Sequence, residues 1–214
     1  IPVLVLILMY REEQHGPLDV PGFSVFWQSL VVFVTNRRLR ATALADMATY
    51  FAYGALETFL PVYLADLRFE AYEIGLIFAI QVLLIAITKP LFGRIADRVD
   101  KRIQIVVGLL VTGGAVAAVP FAMSFAGFLV VSALFGIGLS LSTVATSAYV
   151  ADVARKEQIG SSMGALSSIM DIGQSSGPLV TGLFMSLAGY PAGFLTGFVL
   201  AVVVMVVFVL SARE

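Results

Sequence analysis

The chain has 214 residues, of which 59% are hydrophobic and 13% charged, and its mean hydropathy is +0.98. A soluble globular domain carries about twice that share of charge, so that class is excluded. The net charge of −1 says nothing of how the charges are arranged, and the lack of cysteine excludes a disulfide framework and a thiolate metal site.

Residues 1–10 are apolar but fall short of the roughly 20 residues needed to cross a bilayer. They lack the charged start and small-residue cleavage site of a signal peptide. They read as the cytoplasmic end of a preceding transmembrane helix. Residues 11–40 read as a cytoplasmic linker, opening with Arg11, Glu12, Glu13, His15, Pro17 and Asp19. His15, the single histidine, sits in this exposed connection. Within the linker Phe23, Phe26, Trp27, Leu30, Val31 and Val34 recur at helical spacing opposite Ser24, Gln28 and Ser29, the pattern of an interfacial helix.

From residue 41 to 214 the pattern predicts an all-α membrane unit of six transmembrane helices, at about 41–65, 74–93, 103–122, 125–150, 161–188 and 192–211. Eleven of the thirteen basic residues fall on one side of such a threading. Arg11, Arg37, Arg38 and Arg40 precede the first span, and Arg94, Arg98, Lys101 and Arg102 surround the turn after the second. Arg155 and Lys156 follow the fourth, and Arg213 follows the sixth. The positive-inside bias places those connections, and both ends of the unit, in the cytoplasm. A multi-pass protein of the plasma (inner) membrane is expected.

Polarity is unequal among the spans. The first carries Asp46 and Glu57, the second Lys89 and the fifth Asp171, while the fourth is rich in hydroxyls at Ser140, Ser142, Thr143, Thr146 and Ser147. The third and sixth hold no charge between their ends and can face lipid on much of their perimeter. Two polar helices followed by an apolar one, taken twice, suggest two three-helix repeats.

A charge at the centre of a membrane helix costs roughly 2.5–3.5 kcal/mol on insertion scales, so such residues usually face an interior or a water-filled cavity. Asp46, Tyr50, Tyr53 and Glu57 are four, three and four residues apart, which sets them on one helical stripe. Ser167, Asp171, Gln174 and Pro178 repeat that spacing on the fifth span. Glu57 and Asp171 are expected near mid-depth, where loss of water favours a neutral carboxyl in general, the property a proton carrier needs. Asp46 is expected closer to the cytoplasmic edge, where a structural hydrogen bond is the plainer role, and Lys89 is expected to extend to the cytoplasmic surface.

Two strings of residues carry a family resemblance. Gly93-Arg94-Ile95-Ala96-Asp97-Arg98-Val99-Asp100-Lys101-Arg102 resembles the cytoplasmic loop signature of the major facilitator superfamily, with Asp100 in place of a second glycine. Gly164, Gly173, Gly177-Pro178 and Thr181-Gly182 resemble the glycine and proline signature of its antiporter branch, with Thr181 in place of one glycine. Ser132 stands four residues before Gly136, where first halves of the superfamily often have arginine. The resemblance implies the C-terminal six-helix half of a twelve-helix fold. Close helix packing is expected at Gly93, Gly173, Gly177 and Gly182, a kink at Pro178, and a gating role for Asp97 and Arg98.

The resemblance also implies a secondary active transporter, proton-coupled and antiporter-like, exporting a drug or other small molecule by alternating access. Its partners would be the N-terminal six-helix half of the same transporter, membrane lipid, the substrate and protons, with no nucleic acid, no cofactor and no metal. A membrane sensor that retains the fold without transporting is the alternative. An intramembrane enzyme is excluded on residues: one loop histidine permits neither a zinc helix motif nor a Ser–His dyad in the bilayer.

Overall fold

The structure, a computed structural model, describes residues 31, 33, 35–96, 98–154 and 158–212. The stub at 1–10, most of the expected interfacial helix, Asp97, Arg155, Lys156 and Arg213 lie outside the described residues. Everything described is helix or short connection. The helices are α1 (Arg37–Asp66), α2 (Ala71–Ala96), α3 (Lys101–Ala118, extended by a 3₁₀ turn Val119–Phe121), α4 (Phe125–Val153) and α5 (Ile159–Ala212).

Local chemistry explains most helix starts. The Asn36 side chain accepts from the N–H groups of Arg38 and Leu39 at 3.0 and 3.3 Å, satisfying donors that the first turn of α1 leaves open. Glu73 reaches back to the Glu70 N–H at 2.9 Å before α2, the reciprocal half of a capping box. Asp100 caps α3 through Arg102 N–H at 2.8 Å, and Ser124 caps α4 through Gly127 N–H at 3.1 Å. α1 stops where Arg68 takes a left-handed φ of 67° and Phe69 N–H returns to the Leu64 carbonyl at 3.1 Å.

Four of these helices are long and apolar enough to cross a membrane: α2, α3 with its 3₁₀ turn, α4 and α5. Two differences separate this from the six expected spans. α1 has 30 residues, ample length, but Asp46, Glu57 and its tyrosines lower its apolarity. α5 unites the fifth and sixth expected segments in 54 residues, about 80 Å of helix at 1.5 Å per residue. Its backbone leaves helical geometry at Gly189 (φ 80°, ψ 177°), dividing it into arms 159–188 and 190–212. That conformation belongs essentially to glycine. A Thr181–Thr196 hydroxyl contact of 3.0 Å joins the arms.

α1 and the first arm of α5 run parallel at close range. A Cβ placed on Gly173 would strike the Met47 carbonyl oxygen, and one on Gly177 the Phe51 carbonyl oxygen, four residues on in both helices. From the other side a Cβ on Gly54 would strike the carbonyl oxygen of Gln174. That oxygen is the one Pro178 deprives of a helical N–H, being four residues before it. Helical backbone geometry continues through Pro178, and the break in α5 falls at Gly189, between the fifth and sixth expected spans. α3 and α4 pack antiparallel, Gly108 against Ser142 and Gly138 against Thr112.

The second and third spans differ in how much of their surface is enclosed. Half of the most apolar stretch of α3 is buried (50%), against 11% for α2. α3 is wedged between α4 and the second arm of α5, where Gly113 meets Ala201. α2 packs mainly on α4 and leaves Leu76, Val82, Leu83, Ile87 and Leu91 exposed. Apolarity alone marks a helix as buried or lipid-facing without saying which. The core itself has a phenylalanine-rich end, with Leu56, Leu60, Phe128, Phe135 and Phe194, and an alanine-rich end, with Ala41, Ala45, Ala48 and Ala145.

Candidate functional site

The polar stripe of α1 forms as its spacing requires, and its burial changes steeply along the helix. Asp46 is 3% exposed, Tyr50 and Tyr53 are half-buried and Glu57 is exposed. The tyrosine rings meet edge-on with centroids 6.1 Å apart, and Tyr53 stacks on Phe135 of α4 at 6.3 Å. On α5, Ser167 and Asp171 are exposed and Gln174 is half-buried. The two stripes converge. Tyr50 lies within electrostatic reach of Asp46, Tyr53 and Asp171, and Tyr53 within reach of Glu57. The glycine seam holds α1 and α5 close enough for this to happen.

Burial divides the carboxylates into two exposed groups and one enclosed group. Glu57 and Asp171 are exposed, with no described helix lying over their face. Asp46, expected near an edge, is enclosed between α1 and α4. Thr146 Oγ1 donates to its Oδ1 at 2.6 Å, and one turn along Thr49 and Ser142 hydroxyls meet at 2.8 Å. Lys89 is exposed on α2. The hydroxyls of α4 were visible in the sequence; their pairing with Asp46 and Thr49 was not.

The motif residues fall into two groups. Gly173 and Gly177 make backbone contacts, and Gly182 faces the Phe59 ring, 2.9 Å from where a Cβ would sit. Gly93 and Gly164 have nothing within 4 Å of that position among the described residues. Arg98 is exposed in the turn after α2, its N–H bonded to the Ile95 carbonyl at 2.9 Å. Near that turn Lys101 pairs with Asp152 at 2.8 Å, tying α3 to the end of α4. At the opposite end of the bundle, Tyr190 donates to Asp66 at 2.6 Å and packs its ring on Tyr63 at 4.8 Å. Nothing in the periodicity pointed to this last contact.

A bundle of apolar helices with a polar, carboxylate-bearing face is the architecture of a membrane transport protein. The chain belongs to the Major Facilitator Superfamily, whose family model matches residues 4–214. It is therefore a transmembrane protein of a transporter family and not an enzyme. It is 30% identical over 171 residues to the multidrug resistance protein MdtG of Yersinia enterocolitica, covering 77% of this chain and 41% of that protein. It is 29% identical over 199 residues to MdtG of Salmonella paratyphi A, covering 90% and 46%. An uncharacterized MFS-type transporter of Methanocaldococcus jannaschii is 27% identical over 157 residues, covering 71% and 41%. The chain thus spans less than half the length of the curated relatives it matches.

Proposed function

We propose that this chain is the C-terminal six-helix half of a proton-coupled secondary transporter that exports small, drug-like molecules by alternating access. In this reading α1, α2, α3, α4 and the two arms of α5 are the six spans, in two three-helix repeats. Residues 1–10 end an earlier helix and residues 11–40 join the halves on the cytoplasmic side. The observation that carries the reading is the uncovered polar face of α1 and α5. Glu57 and Asp171 are exposed on helices whose other faces are apolar or tightly packed. Turned toward lipid, each charge would cost roughly 2.5–3.5 kcal/mol. Turned toward an N-terminal half across a watery cavity, both are accommodated, and Tyr50, Tyr53 and Gln174 add groups that can hydrogen-bond a substrate. Asp97 and Arg98, in the cytoplasmic loop, are the gating candidates on that side.

The relatives named for multidrug resistance guide the choice of probe. Full-length protein reconstituted into vesicles should move ethidium when a pH gradient is imposed, and collapse of the gradient should stop it. Glu57→Gln and Asp171→Asn, measured separately, should reduce net flux while ethidium binding persists. Wild-type vesicles that move neither ethidium nor other lipophilic cations under any gradient would favour a sensor that keeps the fold.

A further inference from the structure

α2 packs mainly on α4, and a buried amide on that packed face has no hydrogen-bond donor. Gln81 is 2% exposed and its side-chain Oε1 meets no partner among the described residues. An amide oxygen only accepts, and the backbone N–H groups of two continuous helices are already engaged within them, so its donor must be a side chain. A Cβ on Gly136 would fall 2.7 Å from the Gln81 carbonyl oxygen, which places Gln81 at the closest approach of α2 to α4. Ser132 and Ser140 lie one turn to either side of Gly136 on the same stripe. They are 1% and 0% exposed, and neither hydroxyl has a hydrogen-bond partner. A serine can turn its proton to a carbonyl of its own helix. Gln81 Oε1 has no such recourse, and leaving a buried acceptor unpaired is costly.

The seam around this amide permits movement. Ser132, Gly136 and Ser140 make a track of small side chains with no bulky knob to lock α2 in register. Toward the start of both helices the seam widens into an apolar groove of about 540 Å³, with Leu76, Ile80 and Leu83 on one wall and Phe125, Leu129 and Ala133 on the other. The matching order of those residues shows that α2 and α4 run in the same direction. Among the described residues no side-chain hydrogen bond or ion pair fastens α2 to α4.

We propose that α2 slides along α4 between two stops, Gln81 accepting from Ser132 at one and from Ser140 at the other, and that the arrangement described here lies between them. Each displacement is less than a helical turn, within the range of helix shifts that link two packed states. Gly136 is what lets the Gln81 backbone pass. The inference rests on the transporter reading for its use, since a helix with two stops on its neighbour is a moving part, but the stops can be read without transport.

Double electron–electron resonance on the full-length protein in lipid, in a background without other cysteines, reads the slide. Leu91→Cys on α2 and Val130→Cys on α4 place nitroxides at exposed positions. Leu91 is ten residues beyond Gln81 and Val130 six before Gly136, so the labels stand about 24 Å apart along the axes and a slide changes that distance directly. Two distance populations should appear, several ångström apart. Ser140→Ala should deplete the longer and Ser132→Ala the shorter, while Gln81→Leu should merge them into one. A single narrow distance in the wild type overturns the proposal, as does an unchanged balance in either serine variant. If Gln81→Leu does not fold, the serine variants decide. Two responsive populations without ethidium efflux keep this proposal and remove the transporter reading; efflux with a single distance does the reverse.

Discussion

Gly177→Ala measures what the α1–α5 seam contributes. The new Cβ would fall against the Phe51 carbonyl oxygen and 3.1 Å from the Ala55 nitrogen. Both are backbone atoms inside a continuous helix, so neither can turn aside, and the helices must separate. Overpacking of this kind costs about 1–3 kcal/mol, here toward the upper end because Gly173 and Gly54 share the displacement. Alanine also gains about 1 kcal/mol of helix propensity over glycine, which would mask part of the loss. Gly164→Ala removes that ambiguity: it sits on the same helix with nothing within 4 Å of its Cβ position and carries the same gain. The difference between the two variants isolates the seam, at about 2–3 kcal/mol. At ~2–4 °C per kcal/mol for a chain of this size, their unfolding midpoints should differ by roughly 4–12 °C. Fluorescence-detected size exclusion after heating in detergent reads that difference directly. Midpoints within about 1 °C of each other would refute the close packing. Adding Gly173→Ala to Gly177→Ala should cost less than the sum of the two, because helices already apart lose little more.

Three other outcomes are expected. Gly189→Ala should destabilise by about 1–3 kcal/mol although its Cβ meets nothing closer than the Pro191 ring carbon at 3.8 Å, because the cost is backbone strain alone; an unchanged midpoint would show the break is not needed there. Tyr190→Phe should cost only about 0.5 kcal/mol, the low end for a hydrogen bond, since Asp66 stays wet, whereas Tyr190→Ala should cost more by also losing the Tyr63 and Phe194 ring contacts. Cysteine at Glu70 should label with an impermeant reagent in intact cells and cysteine at Arg98 only after permeabilisation, both positions being exposed; the opposite pattern would invert the topology.

Helix positions were largely legible because hydropathy acts locally. The spans expected at 74–93 and 125–150 lie within α2 and α4, and Asn36, Asp100 and Ser124 mark helix starts as their chemistry demands. The glycine string was legible only in part. Gly164, Gly173, Gly177 and Gly182 look equivalent in the sequence, yet Gly173 and Gly177 alone meet backbone. Small size permits close approach, but the crossing point of two helices decides where the permission is used. At Gly93 nothing among the described residues comes within 4 Å of a Cβ position. The exposed α2 and half-buried α3 could not be ranked from composition, because lipid and protein interior are equally apolar.

The carboxylates show where periodicity stops being informative. Asp46 and Glu57 share one stripe of one helix, and the spacing assigns them the same face. What differs is the neighbour. At the level of Asp46, α4 presents Thr146 and encloses the group; eleven residues on, α1 has run past those hydroxyls and Glu57 meets no described helix. A stripe is a property of one helix, whereas burial belongs to a pair. The signal for that pair was divided between two distant segments, a lone acid in one and hydroxyls four residues apart, Ser142 and Thr146, in the other. Hydroxyls on an apolar helix can satisfy their own backbone, as Thr143 does at the Leu139 carbonyl, so their presence alone does not announce a partner. It is the combination that does: an acid inside a membrane helix needs a donor, and α4 supplies one from its cluster of hydroxyls at 140–147.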